Sequence, residues 1–269
     1  MSKIIAITNQ KGGVGKTTTS INLGIGLVRK GKKVCLIDFD PQGNATQGLG
    51  YNPDQIEDTI STILDMMISK NYNITKDFAV LHHEEGIDLI PANIELSVME
   101  MKLLSVYIGR EKILQTYIEM IRENYDYIII DCKPSLDIVT LNALTAADSV
   151  LIPVQAQFYS AKGLEQLLGT INQVIEGGLN RNLKIEGVLF TVVNKQSCNY
   201  QMISQIINDN YGHFVNIYQN IIPRSVRMEE APATGKSIYA YSGDKSKVSK
   251  AYHDFTEEFL LKEGGIVNG

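Results

Sequence analysis

A glycine-rich run near the amino terminus contains the residue types that bind phosphate groups. It reads Lys11-Gly12-Gly13-Val14-Gly15-Lys16-Thr17 and continues with Thr18. Glycines let backbone N–H groups turn inward around the α- and β-phosphates of a nucleotide. Lys16 is then placed to reach the β- and γ-phosphates, and the hydroxyl of Thr17 to bind Mg²⁺. The run therefore predicts a loop that binds ATP and Mg²⁺.

Acidic residues follow two strongly apolar runs and could complete this site. Asp38 and Asp40 come after Val34–Ile37, and Asp131 comes directly after Tyr127–Ile130. In an open α/β sheet, ligands bind outside the carboxyl ends of the strands. Carboxylates there orient the attacking water or coordinate Mg²⁺, so we expect these residues to meet the phosphate loop.

The elements that must position these groups alternate along the chain. Apolar runs predict buried strands at Lys3–Asn9, Lys33–Asp38, Tyr127–Asp131, Val150–Gln155 and Gly187–Asn194, with two more short strands within Ala79–Pro91. Apolar residues at helical spacing predict helices at Thr17–Lys30, Ile60–Ile68, Ile94–Val106, Ile113–Arg122, Leu136–Ala147, Leu164–Ile175, Met202–Asn208 and Ser249–Lys262. The alternation predicts an α/β fold of the P-loop NTPase kind, a mostly parallel twisted sheet with helices on both faces.

Composition limits the classes of protein that fit. The chain has 269 residues, of which 44% are hydrophobic and 20% charged, so we expect one globular domain over residues 1–269. A net charge of -5 means that any contact with DNA needs a local basic patch. No apolar run approaches the roughly 18 residues of a membrane span, and no signal peptide precedes the first strand. We expect a cytoplasmic protein.

The phosphate loop resembles the deviant Walker A motif of the ParA/MinD/NifH group of ATPases. In that group the first lysine crosses a dimer interface, so the resemblance implies an ATP-dependent homodimer in which Lys11 contacts the partner's nucleotide. The string Asp38–Asn44 is similar to switch I of ParA proteins. This similarity implies that Asp40 positions the attacking water and contributes to the Mg²⁺ site, with Asp38 behind it. The implied catalytic residues are Lys11, Lys16 and Asp40.

The segment Tyr125–Leu144 resembles the Walker B and switch II region of ParA proteins, which implies that Asp131 and Thr17 hold Mg²⁺. It departs from the family pattern at two positions. Lys133 stands where ParA proteins usually carry a second proline, and Asp137 where they often carry glycine. An aspartate is favourable near a helix N-terminus. We expect Lys133 either to pair with a carboxylate or to alter hydrolysis.

Later motifs extend the resemblance, to ParA-type partition ATPases of the short form called Soj, over nearly the whole chain. Asn194 stands where related ATPases place an adenine-reading residue, although an asparagine in a turn is the alternative. The string Ile222–Arg227 resembles the family's IPRNVR loop, which implies that Pro223 and Ser225 border the adenine.

Basic residues in the same half of the chain could contact DNA phosphates without reading sequence. By resemblance, Arg227 belongs to a DNA-binding surface, and Lys195 lies in the region where the family usually carries a second basic residue, so one expected arginine is missing or replaced. Lys236 and three further lysines add positive charge near the end, although a solvated charged face is the alternative. The DNA contacts that we predict are Lys195, Arg227, Lys245, Lys247 and Lys250.

The resemblance implies a DNA-partition ATPase associated with the nucleoid. ATP would close a sandwich dimer, the dimer would bind double-stranded DNA non-specifically, and a ParB-like partner would stimulate slow hydrolysis. A MinD-like positioning ATPase is the main alternative, but the acidic tail Phe255–Gly269 argues against membrane docking. An iron–sulfur reductase of the NifH kind gains no support from Cys132, which partition proteins share. A P-loop ligase or kinase for a small acid has no substrate motif here.

Overall fold

A seven-stranded sheet runs through the part of the chain that the computed structural model describes, residues 2–75, 77–157 and 160–265. The strands are β1 (Lys3–Ile7), β2 (Val34–Phe39), β3 (Leu81–His82), β4 (Asp88–Ile90), β5 (Tyr127–Cys132), β6 (Ser149–Gln155) and β7 (Lys184–Thr191). Their order is β3-β4-β2-β5-β1-β6-β7. Neighbouring strands run parallel except β3 and β4. The predicted fold class is confirmed.

The register of the central strands brings the chemical groups to one edge of the sheet. Asp131 at the end of β5 lies opposite Ile7 of β1 on one side and opposite Asp38 of β2 on the other. The phosphate loop begins at Lys11, and the three residues Thr8 to Gln10 connect it to the end of β1 at Ile7. Because parallel strands end at the same edge, the loop and the aspartates meet there, as the sequence predicts.

Helices cover both faces of the sheet. They are α1 (Lys16–Val28), α2 (Asn44–Gly48), α3 (Ile60–Ile68), α4 (Leu96–Ser105), α5 (Ile113–Ile121), α6 (Ile138–Ala146), α7 (Ser160–Glu176), α8 (Cys198–Tyr211), α9 (Arg227–Glu230), α10 (Ile238–Ser242) and α11 (Lys247–Gly265). Apolar residues of α1, α2, α10 and α11 form the core on one face, and those of α3 to α8 form the core on the other. Within the described residues, no helix combines the length and the apolar character that crossing a membrane requires.

The element boundaries differ from the prediction mainly at α8, which spans Cys198–Tyr211 rather than Met202–Asn208, and at β7. The sequence predicts a strand over Gly187–Asn194, whereas the strand spans Lys184–Thr191. Its ladder with β6 begins at the pair Ser149 and Lys184, which hydropathy could not indicate because Lys184 is exposed. The strand ends early because Val192 has a φ of 52°, outside the extended region. The short helices α2, α9 and α10 were not predicted, and the end of the tail Phe255–Gly269 lies outside the described residues.

A glycine allows α1 to approach the helices that cover it. A Cβ atom added at Gly26 would lie 2.4 Å from the Thr256 Oγ1 of α11 and 2.9 Å from the Tyr239 hydroxyl of α10. Both distances are shorter than van der Waals contact, so a side chain at this position would force the helices apart.

We expect Gly26→Ala to lower the free energy of unfolding by about 1–3 kcal/mol, because the new methyl group overpacks this contact. Urea denaturation measures the change. Gly169→Ala in α7 is the matched control, since its added Cβ meets no atom within 4 Å. That variant should be neutral or gain up to about 1 kcal/mol from helix propensity. Equal effects in the two variants would contradict the proposed close contact.

Candidate functional site

The glycine-rich loop joins β1 to α1 and depends on its later glycines. Gly13 and Gly15 have φ angles of 72° and 78°, in the left-handed region that side chains disfavour. Gln10 stands where the pattern Gly-x-x-x-x-Gly-Lys-Thr has its first glycine. The reversal of the backbone is therefore made at Gly13 and Gly15, directly before the first turn of α1.

Two side chains outside the glycine run hold the loop in place. The buried Thr191 hydroxyl, at the end of β7, donates to the Val14 carbonyl oxygen at 2.6 Å. Asn9 accepts from the Lys11 N–H at 3.0 Å and donates to the Pro153 carbonyl oxygen at 2.8 Å. Sequence analysis did not identify either residue. The position of Asn9 between an apolar strand and the glycine-rich loop could have indicated its role. The sequence around Thr191 contains no comparable signal.

A cavity of about 580 Å³ lies over this loop, a size within the usual range for small-molecule sites. The predicted residues on its wall are Gly12, Gly13, Gly15, Lys16, Thr17, Thr18, Asp40 and Ser225. Residues that the sequence did not indicate complete the wall, among them Gln42, Asn44, Pro134, Val192, Arg224 and Glu229. The structure thus brings the phosphate loop, the switch-like Asp40 and Ser225 around one space.

Other predicted nucleotide-binding residues lie outside this wall. Val14 is buried and bonds through its carbonyl, and the Lys11 side chain donates to the amide oxygen of Gln157. Asn194 is exposed and accepts from the Gln196 N–H at 3.2 Å, the geometry of a turn asparagine. Pro223 borders a second cavity. Their roles toward a nucleotide remain predictions.

Lys16 is a buried ammonium group on the cavity wall. Only 7% of the residue is exposed, and its Nζ donates to the Lys11 carbonyl oxygen at 3.1 Å. Burial lowers its pKa below the usual value, although Asp131 and Asp40 oppose that shift. A charge held in so little water gains strongly from a bound anion, which is what a phosphate group supplies.

Asp131 has the donor atoms that a hydrated magnesium ion requires. Its Oδ1 accepts from the Ser20 hydroxyl at 2.9 Å, while its buried Oδ2 has no hydrogen-bond partner among the described residues. Burial raises its pKa to about 6, although Thr17, Ser20 and Lys16 oppose the shift. An orphaned carboxylate oxygen beside the Thr17 hydroxyl fits Mg²⁺, which takes oxygen ligands and keeps several waters.

Asp38 supports the loop that contains Asp40 and does not line the cavity. Its Oδ2 accepts from the N–H and the hydroxyl of Thr46 at 2.8 and 2.7 Å, and its Oδ1 accepts from the Asp40 N–H at 3.3 Å. Thr46 also accepts from the Ala92 N–H at 3.0 Å. Burial and the charge of Asp131 raise the pKa of Asp38 to about 7. This network fixes the segment 40–46 against the sheet.

A strained residue lies where β7 meets the cavity. Val192 has a φ of 52° and lines the wall, and a β-branched residue rarely adopts this conformation. Such strain is retained where surrounding contacts fix the backbone, and it is enriched at functional sites. The neighbouring Thr191 supplies such a contact through its bond to the phosphate loop.

Three of the predicted DNA contacts surround a second cavity, of about 530 Å³: Arg227, Lys245 and Lys247. Pro223, Arg224 and Ser225 form another part of its wall, together with the hydroxyl residues Ser242 and Ser246. Lys250 borders a different pocket, and Lys195 is exposed in the loop after β7. The structure therefore gathers three of the predicted basic residues around one cavity, whereas Lys250 of α11 and Lys195 lie outside that cavity wall.

Known proteins resemble the chain over nearly its full length. The AAA domain family AAA_31 matches residues 2–185. The sporulation initiation inhibitor protein Soj of Bacillus subtilis is 46% identical over 259 residues, which is 96% of this chain and 98% of that protein. The chromosome partitioning protein ParA of Caulobacter vibrioides is 41% identical over 264 residues, covering 97% and 95%.

A solved structure shares the whole architecture. It is the crystal structure of cobyrinic acid a,c-diamide synthase from Mycobacterium smegmatis with bound ADP and magnesium. The TM-score is 0.83 at 33% identity, over 98% of this chain and 97% of that one. A fold that holds ADP and magnesium agrees with the phosphate loop and the oxygen donors described above.

We expect Thr46→Val to slow ATP hydrolysis and to lower the free energy of unfolding by about 1–3 kcal/mol, because the Ala92 N–H loses its acceptor and Asp38 loses a donor. Nucleotide affinity should change little, since Thr46 lies outside the cavity wall. Thr46→Ser keeps the hydroxyl and should behave like the wild type. Urea denaturation and steady-state hydrolysis measure both effects, and a Thr46→Val protein with unchanged rate would disprove this role for the network.

Proposed function

Because the chain belongs to the ParA/Soj family of P-loop ATPases, we propose that it is a DNA-partition ATPase in which bound ATP switches DNA binding on. It is an ATPase, with ATP and Mg²⁺ as cofactors. The relatives' names concern chromosome partitioning and sporulation, and we extend partitioning to this chain. The proposal adds an ATP-dependent homodimer, non-specific double-stranded DNA and a ParB-like partner that stimulates hydrolysis.

One observation supports the link between nucleotide and DNA: the two cavities share a wall. Arg224 and Ser225 line the cavity over the phosphate loop and also the basic cavity. The backbone here is tied to the strand end, since the Arg224 N–H donates to the Val193 carbonyl oxygen at 2.9 Å. A nucleotide that contacts this segment would shift it, and the same shift would move Arg227 three residues later.

The basic cavity has the properties of a phosphate-binding surface. Arg227, Lys245 and Lys247 present positive charge, and Ser225, Ser242 and Ser246 present hydroxyl groups. Such groups bind the DNA backbone without reading bases. The net charge of -5 makes a single copy a weak DNA binder. A dimer doubles the surface, so several weak contacts act together only when ATP is bound.

The residues of the first cavity have separable roles in hydrolysis. Lys16 neutralises charge on the β- and γ-phosphates, and the loop N–H groups orient them. Thr17 and Asp131 would hold Mg²⁺, which screens the developing charge. Asp40, fixed through Asp38 and Thr46, would orient the attacking water. Slow hydrolysis then times the return to a state that releases DNA, and the ATP-bound form would gather on the nucleoid.

We expect wild-type protein with ATP to bind duplex DNA of any sequence, and protein with ADP or without nucleotide to bind weakly or not at all. In Arg227→Ala, ATP-dependent binding should fall and the slope of log K against log salt should decrease by about 1 for each lost phosphate contact. Fluorescence anisotropy at several salt concentrations measures both.

Arg181→Ala is the matched control for that experiment, because Arg181 is exposed and precedes β7 at the opposite edge of the sheet. It should bind like the wild type. Absence of DNA binding in every nucleotide state would reject the partition switch and favour the MinD-like alternative, which a liposome-binding assay would then test. An amide-forming synthase acting on a carboxylic acid, which the name of the M. smegmatis protein raises, would also leave the protein without DNA affinity.

We expect Lys11→Ala to retain ATP binding and to lose ATP-dependent dimerisation. The Lys11 side chain lies outside its own cavity wall, against Gln157, so its proposed contact is with the partner's nucleotide. A fluorescent ATP analogue measures affinity, and light scattering measures mass. A loss of affinity in the monomer would show instead that Lys11 acts on its own nucleotide.

A further inference from the structure

Lys133, in the loop between β5 and α6, makes two ion pairs. Its Nζ lies 2.6 Å from an Asp137 carboxylate oxygen and 2.8 Å from a Glu100 carboxylate oxygen. The Lys133 side chain is only 11% exposed, whereas those of Asp137 and Glu100 are 24% and 34% exposed. Burial alone would lower the pKa of Lys133, but the bonds to both carboxylates outweigh burial and raise it. The ammonium therefore stays charged between its two partners.

One of these ion pairs fixes the loop between β5 and α6. Asp137 accepts from the Val139 and Thr140 N–H groups at 3.0 and 3.3 Å and so caps α6. It also accepts from the Ser135 hydroxyl at 2.7 Å. Within this loop, Pro134 lines the cavity that contains Lys16 and Asp40. Lys133 thus anchors the backbone next to Pro134, the residue of this loop that lines the nucleotide cavity.

The other ion pair connects this loop to a different helix. Glu100 lies on α4, 33 residues earlier in the chain, and does not line the cavity. The buried residues Leu96, Met99 and Leu103 anchor α4 in the core. Since α4 is fixed in this way, Glu100 offers a rigid attachment point for a loop that is otherwise held by its own local bonds and by the packing of Leu136 against the core.

We propose that Lys133 is a positioning residue for ATP hydrolysis, and that its ion pair with Glu100 couples α4 to the loop bordering the nucleotide cavity. The pair holds Pro134 against the space where the γ-phosphate and the attacking water must be aligned. Ground-state binding depends mainly on the glycine-rich loop, a separate element. Loosening Lys133 should therefore lower kcat and leave KM nearly unchanged.

Glu100→Gln tests this role without leaving a buried lysine unpaired, because Asp137 remains. We expect kcat to fall about tenfold, short of the roughly hundredfold loss that a misplacement of about 1 Å can cause. KM for ATP should stay within about twofold of the wild type. Basal hydrolysis is measured without DNA or partner, so the result does not depend on the proposed partition function.

Lys102→Met is the matched control on the same helix. Lys102 pairs with Asp65 of α3 at 2.6 Å, so this variant removes another ion pair of α4 that leads away from the cavity. It should keep the wild-type kcat. If Glu100→Gln lowers only the melting temperature, or if Lys102→Met lowers kcat equally, the ion pair is merely structural and the proposal is wrong.

A double-mutant cycle in kcat supplies a further test whose result does not depend on changes in protein stability. Lys133→Met should lower kcat, and adding Glu100→Gln to it should have no further effect, because the two changes remove the same connection. Additive losses of kcat would contradict the coupling. Circular dichroism of each variant establishes that the compared proteins are folded, and should Lys133→Met fail to fold, the comparison of Glu100→Gln with Lys102→Met still decides the outcome.

Discussion

The burial of Lys16 near Asp131 and Asp40, and of Asp38 near Asp131, is the electrostatic constraint on which the rest of the site depends. Charges removed from water are costly unless other charges or hydrogen bonds compensate them. Asp38 obtains its bonds from Thr46 and Asp40, whereas the Asp131 Oδ2 accepts no hydrogen bond from the described residues. A phosphate group with a divalent cation would supply further compensation for these buried charges. Binding energy and the positioning of Asp40 come from the same buried network.

The parallel register of the strands explains how residues from distant parts of the chain come together in this network. Because β1, β2 and β5 are neighbours and end at one edge, residues far apart in sequence meet there without long excursions of the backbone. The same edge continues to β7, where Thr191 holds the phosphate loop and Val192 lines the cavity. Arg224 and Ser225, which lie next to Val193 through its bridge with Pro223, border both cavities, so a change at the nucleotide has only a short path to the basic surface.

The sequence predicts those features that local pattern determines. Buried parallel strands are continuous apolar runs, and a glycine-rich loop with Lys16 and Thr17 has few other uses, so the fold class and the phosphate-loop part of the cavity wall could be inferred. Contacts between distant segments could not. No local signal joins Thr191 to Val14. Hydropathy placed both ends of β7 three residues late, because the strand begins at an exposed lysine and ends before the positive φ of Val192. The adenine-reading role of Asn194 was predicted from resemblance alone, and the residue lies in a turn outside the cavity wall.

Lys133 illustrates how one structural requirement can be met by different chemistry. A proline restricts φ and so stiffens a loop by itself, which also reduces the conformational freedom lost on folding. A lysine gives no such restriction, and its backbone would be free to adopt more conformations. Here the two ion pairs to Asp137 and Glu100 restore the restraint through the side chain. The difference is that a side-chain restraint depends on a second helix. A movement of α4 would therefore shift the loop beside the nucleotide. A loop stiffened by proline alone would not respond to α4 in this way.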